Sequence, residues 1–330
     1  MGFNLVSLID RFVRRAYTAA RLRPHTVVID ADTTIHCWIS SSLLPPPSCS
    51  GDVVIDEEEK NKPPAKLPLL LIHGFGPRGT WQWRKQVGVL AAHFDLIVPD
   101  LLFFGGSTTR SSQRSEAFQA AALVGLLDAL GVAPPLRARV SVAGTSYGGM
   151  VAYNVARAMG PERVDRVVIA SSDLLKGPED DRALLERAGG AGSIDEILLP
   201  RTTSDVRRLI RLVVHSPPRY VPEFFLRDIS RNLFSDNLKE KLELIEGIIL
   251  SNKEKFQLTP LAQQVLIIWG EHDQIFPLEK AFQIQKRLGE KNAKLEVVEK
   301  SGHLPQMENA DKFNKVLLDF LLLDAQKTSQ

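Results

Sequence analysis

The chain has 330 residues, 44% hydrophobic and 24% charged, a composition that suits one large water-soluble α/β domain carrying an insertion. Its 41 basic and 39 acidic residues leave a net charge of +2, so nothing marks it for nucleic acid or for a strongly acidic partner. Two cysteines, Cys37 and Cys49, give neither a disulfide framework nor a metal-binding spacing, and no apolar run reaches the roughly 20 residues that span a bilayer.

Residues 1–25 place Leu5, Leu8, Ile9, Phe12, Val13, Ala16 and Tyr17 at helical spacing, with five arginines against the single acid Asp10. The pattern predicts an amphipathic helix. Its apolar side would lie on a membrane surface, giving peripheral membrane contact, or pack on the body of the protein; amphipathicity alone does not choose. Gly2 invites a myristoylation reading, which Val6 opposes by standing where that motif needs Ser or Thr. The expected location is cytoplasmic, and the Arg-rich start leaves an organellar transit segment open.

Residues 26–30 and 34–39 read as an antiparallel pair of strands at a sheet edge. Between 40 and 66 the composition turns to Ser and Pro and then to Asp56–Glu59, a solvated, flexible loop. From Leu67 strands alternate with helices, at 67–72, 94–98, 139–143, 164–169, 264–269 and 294–298. Such alternation predicts a doubly wound, mostly parallel α/β sheet with functional loops at the strands' carboxyl ends. The alternation breaks between 173 and 260. That stretch holds Leu198, Tyr220, Phe224, Phe225, Leu226 and Phe234, enough for an inserted helical cap over a pocket, and places seven arginines against three acids between 201 and 231. A basic cap would orient on anionic lipid or be plain solvated surface. The expected organisation is therefore a helix at 1–25, a core at 26–172, the cap at 173–260 and the rest of the core at 261–330.

The chemistry starts at Gly144–Gly149, GTSYGG, after the apolar strand and before Met150–Arg157. A serine at such a strand–turn–helix corner projects its hydroxyl out of the sheet, and small neighbours keep strand and helix from clashing. Ser146 is the candidate nucleophile. It needs a base to take its proton and an acid to orient that base. Asp273 lies just past the strand 264–269, and His303 lies on the loop after 294–298. Asp173, after the strand 164–169, occupies a second place for the acid, and Asp273 is preferred. Two backbone N–H groups, of Phe75 in His73–Gly76 and of Tyr147 after the nucleophile, would form the oxyanion hole. His73 reads as ordering its own turn, His272 as structural, and Trp81 and Trp83 as packing residues. The histidines and cysteines suggest no metal, and no cofactor is expected.

With HGFG at 73–76, PDLLFFGGS at 99–107, GTSYGG at 144–149, WGEHDQIFP at 269–277 and SGHLPQME at 301–308, the sequence resembles the α/β-hydrolase superfamily from about Thr26 to Leu323. Within it the chain looks most like plant proteins related to monoacylglycerol lipases and like bacterial hydrolases that cleave C–C bonds of ring-fission products. The resemblance implies a serine hydrolase acting through Ser146, Asp273 and His303 on a small-molecule ester or lipid with a hydrophobic acyl group. Cleavage of a C–C bond is the alternative, and a ligand receptor built on a hydrolase fold is another. A serine at the elbow argues against epoxide hydrolases and haloalkane dehalogenases, which use a carboxylate there. One departure is Leu101–Phe104, bulky where many relatives carry glycine, and expected near the pocket.

Overall fold

The computed structural model describes residues 4–44, 66–132, 139–250 and 257–323. Gly2, Cys49, Asp56–Glu59 and most of the loop expected at 40–66 lie outside the described residues. The first element is the helix α1, Leu5–Ala19, whose Asn4 side chain caps it by accepting from the Ser7 N–H at 2.7 Å. Its inward side takes Val6, Val13 and Tyr17, with Ile9 packed alongside, while Phe12 stays 59% exposed. The apolar stripe is thus largely occupied by the protein itself.

Arg21, at φ 62°, turns the chain straight into β1, Leu22–Val28, so the strand starts four residues before the expected 26 and inside the segment read as helix. Pro24 sits in β1 without breaking it, because β1 is the sheet's edge, where a missing N–H costs no ladder bond. β1 pairs antiparallel with β2, Thr33–Ser40. The strands β3 (Leu67–Ile72), β4 (Phe94–Pro99), β6 (Val140–Thr145), β7 (Val164–Ala170), β8 (Gln264–Gly270) and β9 (Ala293–Val298) follow the expected alternation. A two-residue β5, Thr108–Thr109, adds to β2.

The sheet order is β1-β2-β4-β3-β6-β7-β8-β9, parallel from β4 through β9. Along β3 the side chains alternate between two cores. Leu70 and Ile72 meet α4 (Glu116–Ala129) and α5 (Tyr147–Arg163), while Leu69 and Leu71 meet α1, α3 (Val87–Leu90) and α13 (Ala310–Leu321). Both faces are covered, which is why these strands are continuous apolar runs. All four β3 side chains from Leu69 to Ile72 are fully buried, each contributing about 1.5–3 kcal/mol relative to exposure. From β3 the chain moves first to β4 on one side and then to β6 on the other. That reversal opens a crevice at the carboxyl ends of β3 and β6.

Among the described residues, five helices stand between β7 and β8: α6 (Pro178–Ala188), α7 (Ile194–Leu198), α8 (Thr203–Val213), α9 (Glu223–Leu233) and α10 (Leu238–Leu250). α8 begins with a reciprocal cap in which Thr202 and Asp205 satisfy each other's backbone N–H. α1 reaches this insertion: the Val6 N–H donates to Asp228 of α9 at 2.7 Å, while Asp10 accepts from the indole N–H of Trp81 in α2 (Gly79–Gln82) at 3.0 Å. The remaining helices are α11 (Glu279–Leu288) and α12 (Pro305–Glu308).

Candidate active site

Ser146 sits between β6 and α5 at φ 53° and ψ −126°, a strained corner for a residue with a side chain. The corner needs bare backbone around it: a Cβ on Gly144 would lie 2.0 Å from the Gly148 carbonyl oxygen, and one on Gly148 would lie 2.4 Å from that of His73. The Ser146 N–H donates to Ala170 of β7 at 2.8 Å, locking the elbow to the neighbouring strand.

His303 follows β9. Its Nε2 is 2.9 Å from Ser146 Oγ, and its Nδ1 is 2.8 Å from Asp273 Oδ2. Asp273 is buried, and its other oxygen accepts from the N–H groups of Ile275 at 2.8 Å and Phe276 at 2.9 Å. With those two donors fixed, Oδ2 is left to receive Nδ1–H. This sets the tautomer in which Nε2 accepts from the serine hydroxyl. The chain Asp273–His303–Ser146 can therefore lift a proton from Oγ and hand it to a leaving group.

Asp173, the other place for the acid, is directed elsewhere. Its carboxylate accepts from the Leu175 N–H at 2.8 Å and meets Lys280 Nζ at 3.1 Å, and burial holds its pKa above the usual carboxylate range against the pull of Lys280. His272 turns away from the site and stacks on His215, ring centroids 4.1 Å apart. His73 donates from Nδ1 to the Gly74 carbonyl at 2.8 Å and accepts at Nε2 from the Leu101 N–H at 2.9 Å, so both ring nitrogens are committed. Burial pushes its pKa below the ordinary histidine value and keeps it neutral. Burial, then the Asp100 charge, pushes the Cys37 thiol up to about 12, which leaves it unreactive.

The N–H groups of Phe75 and Tyr147 have no protein partner among the described residues. They flank Ser146 from β3 and from the first turn of α5, where orphan helix donors point outward. One residue that holds this arrangement carried no signal in the sequence. Gln82 accepts from the Gly74 N–H at 2.8 Å and donates to the carbonyls of Gly74 at 3.0 Å and Pro77 at 2.7 Å, clamping the loop that bears Phe75. The nearby Trp83 is fully buried, whereas Trp81 both anchors α1 and lines the cavity.

A family model described as alpha/beta hydrolase fold matches residues 68–310. The chain belongs to this family. Among curated proteins, this α/β-hydrolase is 27% identical over 273 residues to a 2-hydroxy-6-oxononadienedioate/2-hydroxy-6-oxononatrienedioate hydrolase of Paraburkholderia xenovorans (strain LB400), covering 77% of this chain and 86% of that protein. Among solved structures it is similar to a lipase, so named provisionally, from Acinetobacter baumannii AYE, with TM-score 0.73, 21% identity and 97% of each chain covered. It is also similar to the 2-hydroxy-6-oxo-6-phenylhexa-2,4-dienoate hydrolase of Rhodococcus sp. strain RHA1, with TM-score 0.67, 20% identity, and coverage of 90% of this chain and 98% of that one.

In this α/β-hydrolase a cavity of about 480 Å³ lies over Ser146 and His303, roofed by insertion residues that include Leu198, Val206, Leu209 and Phe234. Of the aromatics expected to shape it from the insertion, Phe234 lines it, while Tyr220 and Phe224 are 74% and 59% exposed. Leu101–Phe104 are buried behind the site, and Phe104 packs edge-on against Phe75 at 5.2 Å and His73 at 5.1 Å. The bulk of that loop props the Phe75 loop from behind and leaves the cavity wall to other residues. Among the described residues no cluster of His, Cys, Asp or Glu could hold a metal ion, and no helix is long and apolar enough to cross a membrane.

Proposed function

We propose that the protein is a serine hydrolase that attacks a carbonyl carbon and transfers the acyl group to water. The Ser146–His303–Asp273 chain of hydrogen bonds, at 2.9 and 2.8 Å, carries this reading. Ser146 Oγ adds to the carbonyl carbon as its proton passes to His303 Nε2, and the N–H groups of Phe75 and Tyr147 receive the oxyanion. The bond to the leaving group then breaks, and the leaving atom takes the proton back from His303. Water repeats the cycle on the acyl-enzyme, with Asp273 stabilising the imidazolium throughout.

The identity of the leaving atom separates two readings. The ring-fission hydrolases among the relatives favour carbon, which requires a substrate whose departing carbanion is delocalised. The cavity favours an ester with a hydrophobic acyl group, because its walls are mostly hydrocarbon and Lys176, one cation in its lining, is paired with Asp181. The C–C reading stands first on the strength of the relatives.

The test is hydrolysis of two substrate series, aryl and alkyl ring-fission dienoates and acyl esters from acetyl to long-chain, by wild type and by Ser146→Ala. Turnover of the dienoates that disappears in the variant supports the first reading, and turnover of esters alone supports the second. A folded wild type that hydrolyses neither refutes both and moves a ligand-receptor role to the front.

A further inference from the structure

The loop that carries His303 is held by the insertion as well as by the sheet. The His303 N–H donates to the Val213 carbonyl, in the last turn of α8, at 3.0 Å. Glu308 closes a second link. One oxygen of its carboxylate accepts from the Gly302 N–H at 2.8 Å, and the other accepts from the His215 N–H, two residues beyond α8, at 2.7 Å. A single carboxylate thus spans the base's own loop and the exit of a helix that roofs the cavity.

The fit at this junction is close. A Cβ on Gly302 would lie 2.8 Å from the Val213 carbonyl oxygen, 2.9 Å from the His215 nitrogen and 3.2 Å from Glu308 Oε1. The same stretch also meets the loop of the acid, because the His215 ring lies flat on that of His272, the neighbour of Asp273, with 13° between planes. The His272 N–H in turn donates to Ser301 at 2.9 Å, tying the two loops together. Two loops bear Asp273 and His303, and residues 213–215 touch both.

We propose that Glu308 is a positioning residue that makes the placement of His303 depend on the seating of α8. This rests on the serine-hydrolase reading above. Charge-assisted hydrogen bonds from a carboxylate to two backbone N–H groups are short and directional, and a base displaced by about 1 Å can lose on the order of a hundredfold in rate. When α8 lifts, the Val213 and Glu308 links stretch together and the imidazole leaves hydrogen-bond range of Ser146. The nucleophile is therefore activated only under a seated roof.

A fluorophosphonate probe tests this without knowledge of the natural substrate. Ser146 Oγ bonds to phosphorus as the P–F bond breaks, fluoride leaves, and the serine proton passes to His303. The saturating labelling rate and the half-saturating concentration are measured for wild type, Glu308→Gln and Glu308→Ala, with melting temperatures alongside. Gln keeps the shape but sets an NH₂ group against a backbone N–H, whereas Ala removes both acceptors. The expected result is a saturating rate lower by about tenfold or more in both variants, with the half-saturating concentration within about twofold of wild type. If either folded variant keeps the full saturating rate, the proposal is overturned, and Glu308→Gln decides alone should Glu308→Ala not fold. A wild type that does not label overturns the serine-hydrolase reading itself, an outcome distinct from equal labelling of wild type and variants.

Discussion

Replacing Gln82 by Met removes a clamp while nearly conserving volume. Gln82 makes three hydrogen bonds to the 74–77 segment and is buried. Met leaves the buried Gly74 N–H without its acceptor, which costs about 1–3 kcal/mol. For a domain of this size that lowers the melting temperature by roughly 1–4 °C. The kinetic effect is larger in kind, because the Phe75 N–H is held only by the loop that Gln82 braces. Complete loss of one oxyanion donor costs about 10²- to 10³-fold, so a donor that is loosened but present should cost between about 10- and 100-fold in kcat. KM should change little, since the donor meets full charge only as the oxyanion forms. The assay is steady-state hydrolysis of the best wild-type substrate, with differential scanning calorimetry on the same samples. A variant that melts lower as expected yet retains kcat within about twofold would refute the reasoning and show that Gln82 stabilises the fold without setting the oxyanion donors.

Two further perturbations read other parts of the site. In Asp273→Asn the amide oxygen stays with the N–H groups of Ile275 and Phe276, its NH₂ faces His303 Nδ1, and the imidazole adopts the tautomer that cannot accept from Ser146. Turnover should fall by about 10³- to 10⁴-fold with binding retained, and a loss below tenfold would contradict the assigned tautomer. Burial alone would raise the Asp100 carboxyl, but the hydrogen bond from His36 and the Gly106 N–H hold its pKa below the ordinary range. A depressed carboxylate contributes stability that is complete above its unfolded pKa of about 3.9 and is lost as pH falls through the lower folded value. Asp100→Asn should therefore melt below wild type at neutral pH, with the gap closing as the pH is taken below about 4, and a gap constant down to pH 3 would contradict the linkage.

The parallel strands were legible because they are buried on both faces, so runs such as Leu69–Ile72 and Val265–Trp269 carry no alternation to confuse and end at glycine or polar residues. The elbow and the loops of Asp273 and His303 were legible for a related reason: each follows such a strand, and the crevice lies at the strand ends. What escaped depends on partners distant in sequence. Nothing around Arg21 announces that the chain turns there into β1, and α1 showed an apolar stripe without saying that Trp81 and α9 would receive it. Gln82 and Glu308 act on backbone groups, and a side chain bonded to backbone leaves no matching residue elsewhere to find. The roof of the cavity was readable as helical, yet which of its aromatics faced inward depended on packing angles that composition does not encode.

The bridge that α1 makes between Trp81 and α9 has a consequence for how the protein is synthesised. The Val6 N–H and the Asp228 carboxylate that it meets are 222 positions apart. At ordinary translation speeds the ribosome needs on the order of ten to forty seconds to deliver that acceptor after the helix has emerged. During that interval Val6, Ile9, Val13 and Tyr17 have only part of their final surroundings. The nascent chain thus carries an early amphipathic helix waiting for a late one, and that pause is when a chaperone or an aggregating neighbour would find it.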